Sequence, residues 1–311
     1  MNIQQIEYVL AVSELKNFSN ASKRCFITQS TLSTMIARFE EEIGVTIFDR
    51  KTKPVTITME GEHIIQQLKI ISKEISSLHE VVGNLKSEVG GELKIGVIPT
   101  VAPYLLPVFL SDFIKQFPKV HFVVSEMTTE KIIEQVKIRD LDVGIVSTPL
   151  DQKDLLEIPL YDEPFLFYDQ SARNVKSPID VSSIDYDRLW LLEEGHCMRT
   201  QVQSICGMRK KRVNIGNLEY KLGAINTLMK FVRKNNGATL LPYLSTLGFS
   251  KKEEQHLRKF KTPVPARSIG LIVHKHFVKH RMAELLQLEI QEKVLPLLKN
   301  KSRKQKLVSP V

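Results

Sequence analysis

Cysteine is scarce in this chain, with three in 311 residues, which excludes a disulfide scaffold of the kind that holds small secreted domains together. No run approaches the roughly 18 apolar residues that span a bilayer, and Met1-Asn2-Ile3-Gln4-Gln5 opens without the basic-then-apolar pattern of a secretory leader. Both absences predict a cytoplasmic chain with no membrane partner. Internal repeats and low-complexity tracts are also missing, so collagen-like and wholly disordered classes are excluded. What is present is an ordinary globular composition, 42% hydrophobic and 25% charged. The length exceeds the roughly 250 residues at which a single core splits, so two or three domains are expected. In a reducing compartment a pair of cysteines points to redox or metal chemistry, which puts weight on Cys197 and Cys206. A net charge of +9 permits a polyanionic partner. Residues 1 to 60, however, hold seven Lys/Arg against seven Asp/Glu, so any surface for nucleic acid there must come from how charge is distributed.

Residues 1–58 read as three short helices and a hairpin. Ile3, Ile6, Val9 and Leu10 share one helical face, a second helix can start at Ser19, and a third can start at Thr28 with a side-chain cap. In the third helix Leu32, Met35, Ile36, Phe39 and Ile43 recur at helical spacing until Gly44 ends it. Gln29, Ser30, Thr31 and Ser33 are left on its early turns, slim and polar as a recognition helix entering the major groove requires. The following hairpin carries Arg50, Lys51 and Lys53 beside Pro54, a basic wing suited to phosphate. A three-helix bundle that only mediates dimerisation is the alternative.

Residues 59–89 predict one long helix. Ile64, Leu68, Ile71, Ile75, Leu78, Val82 and Leu85 are spaced 4, 3, 4, 3, 4, 3, a heptad stripe that reads as pairing with a second copy of the chain rather than as a face lying on its own core. Residues 90–300 then alternate strands and helices, predicting a parallel sheet with crossover helices arranged as two α/β subdomains around a cleft. The tail, 301–311, carries Lys301, Arg303, Lys304 and Lys306 without an acid and predicts disorder.

Glu193-Glu194-Gly195-His196-Cys197-Met198-Arg199 places a cysteine at a predicted helix start beside a histidine and an arginine, a setting that lowers a thiol pKa. A buried inert thiol is the ordinary fate of a free cysteine, and His196, Cys197 and Cys206 as metal ligands would lack a fourth partner and Cys-x-x-Cys spacing. His274, His276 and His280 read as solvated, and no metal or cofactor is expected.

Ala21-Ser22 through Cys25-Phe26-Ile27-Thr28-Gln29-Ser30-Thr31-Leu32-Ser33 to Phe39-Glu40-Glu41-Glu42-Ile43-Gly44-Val45-Thr46-Ile47-Phe48-Asp49-Arg50 resembles the DNA-binding domain of LysR-type transcriptional regulators. The likeness covers almost the whole chain and implies a winged helix-turn-helix, a linker helix and a periplasmic-binding-protein-like regulatory domain. Gly195-His196-Cys197, the spacing to Cys206, and Gly96-Val97-Ile98-Pro99-Thr100-Val101-Ala102-Pro103-Tyr104-Leu105-Leu106-Pro107 resemble the peroxide-sensing branch of that family. Ser30 departs from it by standing where many members carry proline, and Thr200 by replacing an acid.

The resemblance implies that Cys197 is oxidised by hydrogen peroxide and that Cys206 resolves it into a reversible disulfide, with Thr100, Thr129, His196, Arg199 and Arg267 around the oxidant. Nine residues of helical rise, about 13 Å, would separate the two thiols on one continuous helix, whereas a disulfide needs Cα atoms closer than about 7 Å, so oxidation would refold the segment. The partners implied are double-stranded DNA, RNA polymerase, a cellular thiol reductant and further copies of the chain as a dimer or tetramer. A regulator of the same build that binds a small metabolite, with incidental cysteines, is the nearest rival. A thiol peroxidase is the rival from another class, and residues 1–58 count against it.

Overall fold

The computed structural model describes residues 1–85, 90–172, 177–193, 195–207, 214–215, 218–219, 223–298 and 305–310. The chain divides into two compact units, Met1–Glu88 and Val89–Val311.

In the first unit, α1 (Ile3–Leu15), α2 (Phe18–Arg24) and α3 (Gln29–Ile43) precede a wing of β1 (Phe48–Asp49) and β2 (Thr56–Ile57), and α4 (Met59–Leu85) follows. Local chemistry sets each start. Asn2 and Gln5 form a capping box on α1, Asn17 accepts from the Asn20 N–H, and Thr28 accepts from the Thr31 N–H. The Asn17 cap starts α2 one residue earlier than the sequence pattern predicts. Gly44 closes α3 at φ +71°, a conformation costly for any residue with a Cβ. Ile6, Val9, Val12, Leu32, Ile36, Phe39 and Phe48 form the core, and Ile65 and Leu68 of α4 complete it.

That last contact corrects the reading of the heptad stripe. Leu68 is 3% exposed within its own unit, and Ile64 and Ile71 pack partly against the same core. The stripe therefore begins as intramolecular packing. Further along, Ile75 is half-buried and Leu78 is 64% exposed, while the side chains of Val82 and Leu85 lie outside the description.

The second unit contains β3 (Gly91–Val97), α5 (Ala102–Gln116), β4 (Val120–Glu126), α6 (Thr129–Lys137), β5 (Val143–Thr148), β6 (Leu155–Asp169), α7 (Cys197–Ile205), β7 (Asn214–Ile215), β8 (Leu218–Glu219), α8 (Ile225–Lys234), β9 (Ala238–Pro242), α9 (Lys251–Glu254), β10 (Leu257–Lys259), β11 (Val264–His274), α10 (His280–Leu298) and β12 (Gln305–Leu307). The strands order as β10-β6-β11-β5-β3-β4, with β9 also on β6 and β12 also on β11. Among the described strands, β3 runs parallel to β4 and β5, and β12 parallel to β11. The fully parallel sheet expected from strand–helix alternation is thus corrected. The long strands β6 and β11 pair antiparallel with one another, and β11 runs antiparallel to β5. Leu189 forms an isolated parallel bridge to Ala238.

β6 and β11 are long enough to serve two cores. One packs α5, α6 and α10 with Ile95, Phe109, Ile145, Leu271 and Cys197. The other packs Phe165, Leu189, Met198, Leu228, Leu240 and Cys206.

The tail is a second correction. Gln305–Leu307 pairs with Val264–Ala266, the Val308 N–H donates to the Ala266 carbonyl at 2.9 Å, and the Val308 side chain is buried. The composition of residues 301–306 hides this because the free edge of β11 offers backbone partners to any side-chain sequence. Residues 301–304 and 311 lie outside the description.

Candidate functional site

Cys197 is the first residue of α7, with His196 as its N-cap, after Gly195 at φ +91°. The thiol is buried beneath three other elements. Arg267 comes from β11, Thr100 follows β3, and Thr129 opens α6. The Arg267 side chain is 1% exposed, and a buried guanidinium needs partners. Its Nε donates to Glu163 Oε2 at 2.9 Å, and one terminal nitrogen lies 2.8 Å from the same oxygen. The other terminal nitrogen donates to Thr100 Oγ1 at 3.0 Å, and the nitrogen beside Glu163 also donates to the Thr100 carbonyl at 3.2 Å. Glu163 is 0% exposed, and its second oxygen accepts from the Leu244 N–H at 2.6 Å.

Burial pushes the Cys197 thiol up, against the opposing charge of Arg267, the Thr129 hydroxyl and the N–H groups at the start of α7. This corrects the lowered thiol pKa that the sequence setting predicts. His196 does not supply a positive charge, because burial holds its imidazole below the usual range despite Glu193 at 3.7 Å. Arg199 turns its guanidinium to the Leu192 carbonyl, 2.6 Å away. The cation acting on Cys197 is therefore Arg267, contributed from 70 residues further along the chain. The Thr129 hydroxyl is buried beside the sulfur without a hydrogen bond of ordinary geometry. Tyr161 Oη is likewise buried and unpartnered, and burial raises its pKa well above the normal phenol range.

Cys206 caps the C-terminal end of α7 and sits in the second core. Burial alone pushes its thiol up to about 11. Both cysteines are free thiols. With α7 intact, nine residues of rise keep them about 13 Å apart along the helix.

Between the two cysteines, Gln201 is buried and donates to Ser147 Oγ and to the Val308 carbonyl, each at 3.0 Å. Sequence reasoning missed Glu163, Gln201 and Val308. For Glu163 a partial signal was present, since Asp162 and Glu163 interrupt the otherwise apolar run Leu160–Tyr168, strand alternation turns one of the two inward where it needs an opposite charge, and Arg267 is the lone Lys or Arg of a largely apolar strand. Nothing local marks Gln201 or Val308. Deleting residues 305–311 should destabilise the second unit by about 2 kcal/mol by exposing the β11 edge and removing a Gln201 partner. Chemical denaturation checks this: the transition of residues 89–298 should shift to lower denaturant.

On the first unit, Gln29, Ser30 and Thr31 are exposed at the first turn of α3. The Thr28 hydroxyl lies 2.9 Å from Ser30 Oγ and 2.8 Å from Thr31 Oγ1, gathering the three hydroxyls at the helix start. Arg50 is committed differently from the expectation of a free phosphate contact. It donates to Ser33 Oγ at 3.0 Å and to Glu40 Oε2 at 2.7 Å, and its guanidinium lies over the Phe18 ring. Glu40 in turn accepts from the Ile47 and Phe48 N–H groups, so Arg50 and Glu40 tie the wing to α3. Lys51 and Lys53 remain exposed.

Among the described residues no group of three or more His, Cys, Asp or Glu side chains could hold a metal ion, and no helix is long and apolar enough to cross a membrane.

Residues 3–62 match the family of bacterial regulatory helix-turn-helix proteins of the lysR type, and residues 86–293 match the LysR substrate binding domain. The chain belongs to the LysR family of transcriptional regulators. Within it, the chain is 30% identical over 274 residues to the hydrogen peroxide-inducible genes activator of Haemophilus influenzae, covering 88% of this chain and 90% of that protein. It is also 30% identical to the DNA-binding transcriptional dual regulator OxyR of Escherichia coli K12, covering 88% and 89%. A full-length OxyR variant from Pseudomonas aeruginosa matches its fold with a TM-score of 0.75 at 26% identity, covering 94% of this chain and 98% of that one.

Proposed function

We propose that this regulator senses hydrogen peroxide through Cys197 and Cys206 and controls antioxidant genes. The reading is carried by buried Cys197 at one end of α7, on which the charge of Arg267, itself hydrogen-bonded to Thr100, and the Thr129 hydroxyl act, with a second buried thiol at the other end in a different core. The Cys197 thiol first gives up its proton, the thiolate attacks one peroxide oxygen, an S–O bond forms as the O–O bond breaks, and the departing hydroxide takes up a proton equivalent to the one released, leaving as water. Arg267 is placed to stabilise both the thiolate and the departing charge. The Cys206 sulfur then displaces the hydroxyl of the sulfenic acid, forming the disulfide and releasing a second water. A cellular dithiol reductant reverses the step.

Because the two sulfurs occupy separate cores, closing the bond unwinds α7 and withdraws both side chains from their packing. That is a switch between two packings of one segment. Pairing of two chains through Ile75 and Leu78 would carry it to the DNA-binding units, and RNA polymerase would be the reader. Mass spectrometry after peroxide treatment tests the reading directly: a Cys197–Cys206 link is expected, and its absence would exclude the mechanism. Stoichiometric oxidation without sustained turnover separates this regulator from a thiol peroxidase.

The DNA side yields its own expectation. Thr31→Ala should weaken binding to the operator by about 1–2 kcal/mol and leave random duplex binding unchanged. Lys51→Ala or Lys53→Ala should weaken both and lower the salt slope by about 1. Fluorescence anisotropy across a salt series reads all of these.

A further inference from the structure

Arg267 is a full cation held in a dry interior, and its position is not self-determined. An arginine side chain reaches its site through four flexible torsions. Thr100 alone would fix only the far end of the guanidinium. Glu163 holds the near end: Oε2 lies 2.9 Å from Nε and 2.8 Å from a terminal nitrogen. Glu163 is itself anchored, because its other oxygen takes the Leu244 N–H at 2.6 Å, at the 3-10 turn Tyr243–Thr246. Register reinforces the arrangement, since Glu163 on β6 pairs directly with Arg267 on β11 and the two side chains share one face of the sheet. From these contacts we infer that Glu163 is a positioning residue, fixing the Arg267 guanidinium at Thr100 so that it addresses the oxidant at Cys197.

The inference rests on the peroxide-sensing reading and adds a cost to it. A carboxylate beside Arg267 offsets part of the positive potential at the sulfur. Glu163 therefore trades some thiolate stabilisation for orientation, and the two contributions separate in a pH profile. The second-order rate of Cys197 oxidation by peroxide, measured on the full chain across pH, has a midpoint that reports thiol ionisation and a plateau that reports positioning.

In Glu163→Gln the plateau should fall by about tenfold or more, while the midpoint moves to lower pH because the competing negative charge is gone. A purely structural role would not lower the two together. A folded variant whose plateau stays within about twofold of wild type overturns the inference. Should Glu163→Gln fail to fold, Glu163→Asp keeps a charge to pair with Arg267 but withdraws the carboxylate by one methylene, and it carries the test. Its plateau should fall while its midpoint stays near wild type, and a wild-type plateau would overturn the inference. A wild-type protein that does not consume peroxide would overturn the sensing reading as well, whereas reactive wild type with an unaltered variant overturns the inference alone.

Discussion

Cys197→Ser is expected to abolish the peroxide response, with the oxidation rate falling by several orders of magnitude, because among the described residues Arg267 acts on Cys197 whereas burial alone acts on the other buried thiol, Cys206. Cys206→Ser should still form a sulfenic acid at Cys197, trappable with dimedone, but should be unable to complete the disulfide and should over-oxidise. The pH dependence has a definite sign. Only the thiolate reacts, and burial raises the folded pKa of Cys197, so the rate should climb about tenfold per pH unit through neutrality and keep climbing above the ordinary thiol range near 8.5. Removing the cation with Arg267→Met should push the midpoint higher still. Oxidised wild-type protein should also lose amide protection along α7, because the helix cannot persist with its ends joined. Dimedone labelling at Cys206 in the Cys197→Ser variant at an undiminished rate would reverse the roles. A disulfide formed with α7 still protected would sink the refolding step.

Leu68→Asp and Leu78→Asp should part company sharply although both lie on the heptad stripe. Leu68 is buried in the core of its own unit, where α4 packs on α1, so a carboxylate there is expected to cost at least about 3 kcal/mol and to melt the DNA-binding unit itself. Leu78 is exposed in the single chain, so Leu78→Asp should leave the melting temperature of that unit unchanged. If the second half of the stripe pairs two chains, that variant should sediment at a lower mass and lose operator affinity. Equal destabilisation by both variants would place Leu78 in an intramolecular core. Unchanged mass and affinity for Leu78→Asp would remove the pairing role. Analytical ultracentrifugation and thermal unfolding by circular dichroism measure both.

The contrast between those two leucines shows how far the linear pattern reaches. Local devices were legible: the Thr28 cap, the Gly44 stop, the wing, the run of α4, and the adjacency of His196, Cys197 and a helix start all follow from neighbours within a few residues. Composition and periodicity also established the class, a helical N-terminal unit followed by an α/β unit. A heptad stripe states only that one face is apolar. Whether Leu68 meets α1 or a second chain depends on where the preceding wing delivers α4.

The residues alone are enough to set the helices and wing of the first unit, the exposed polar first turn of α3 at Gln29, Ser30 and Thr31, and the two cysteines at opposite ends of one helix. Tertiary structure alone decided the electrostatics. The sign of the Cys197 shift depends on burial, which no local pattern reports, and its cation comes from Arg267 rather than from the neighbouring His196 or Arg199. Strand register sets Arg267 against Glu163, folding brings Val308 to Gln201, and helix–wing contact turns Arg50 towards Glu40. Each of these joins groups far apart in the chain, and desolvation and charge pairing act through distance in space, which periodicity along the chain does not encode.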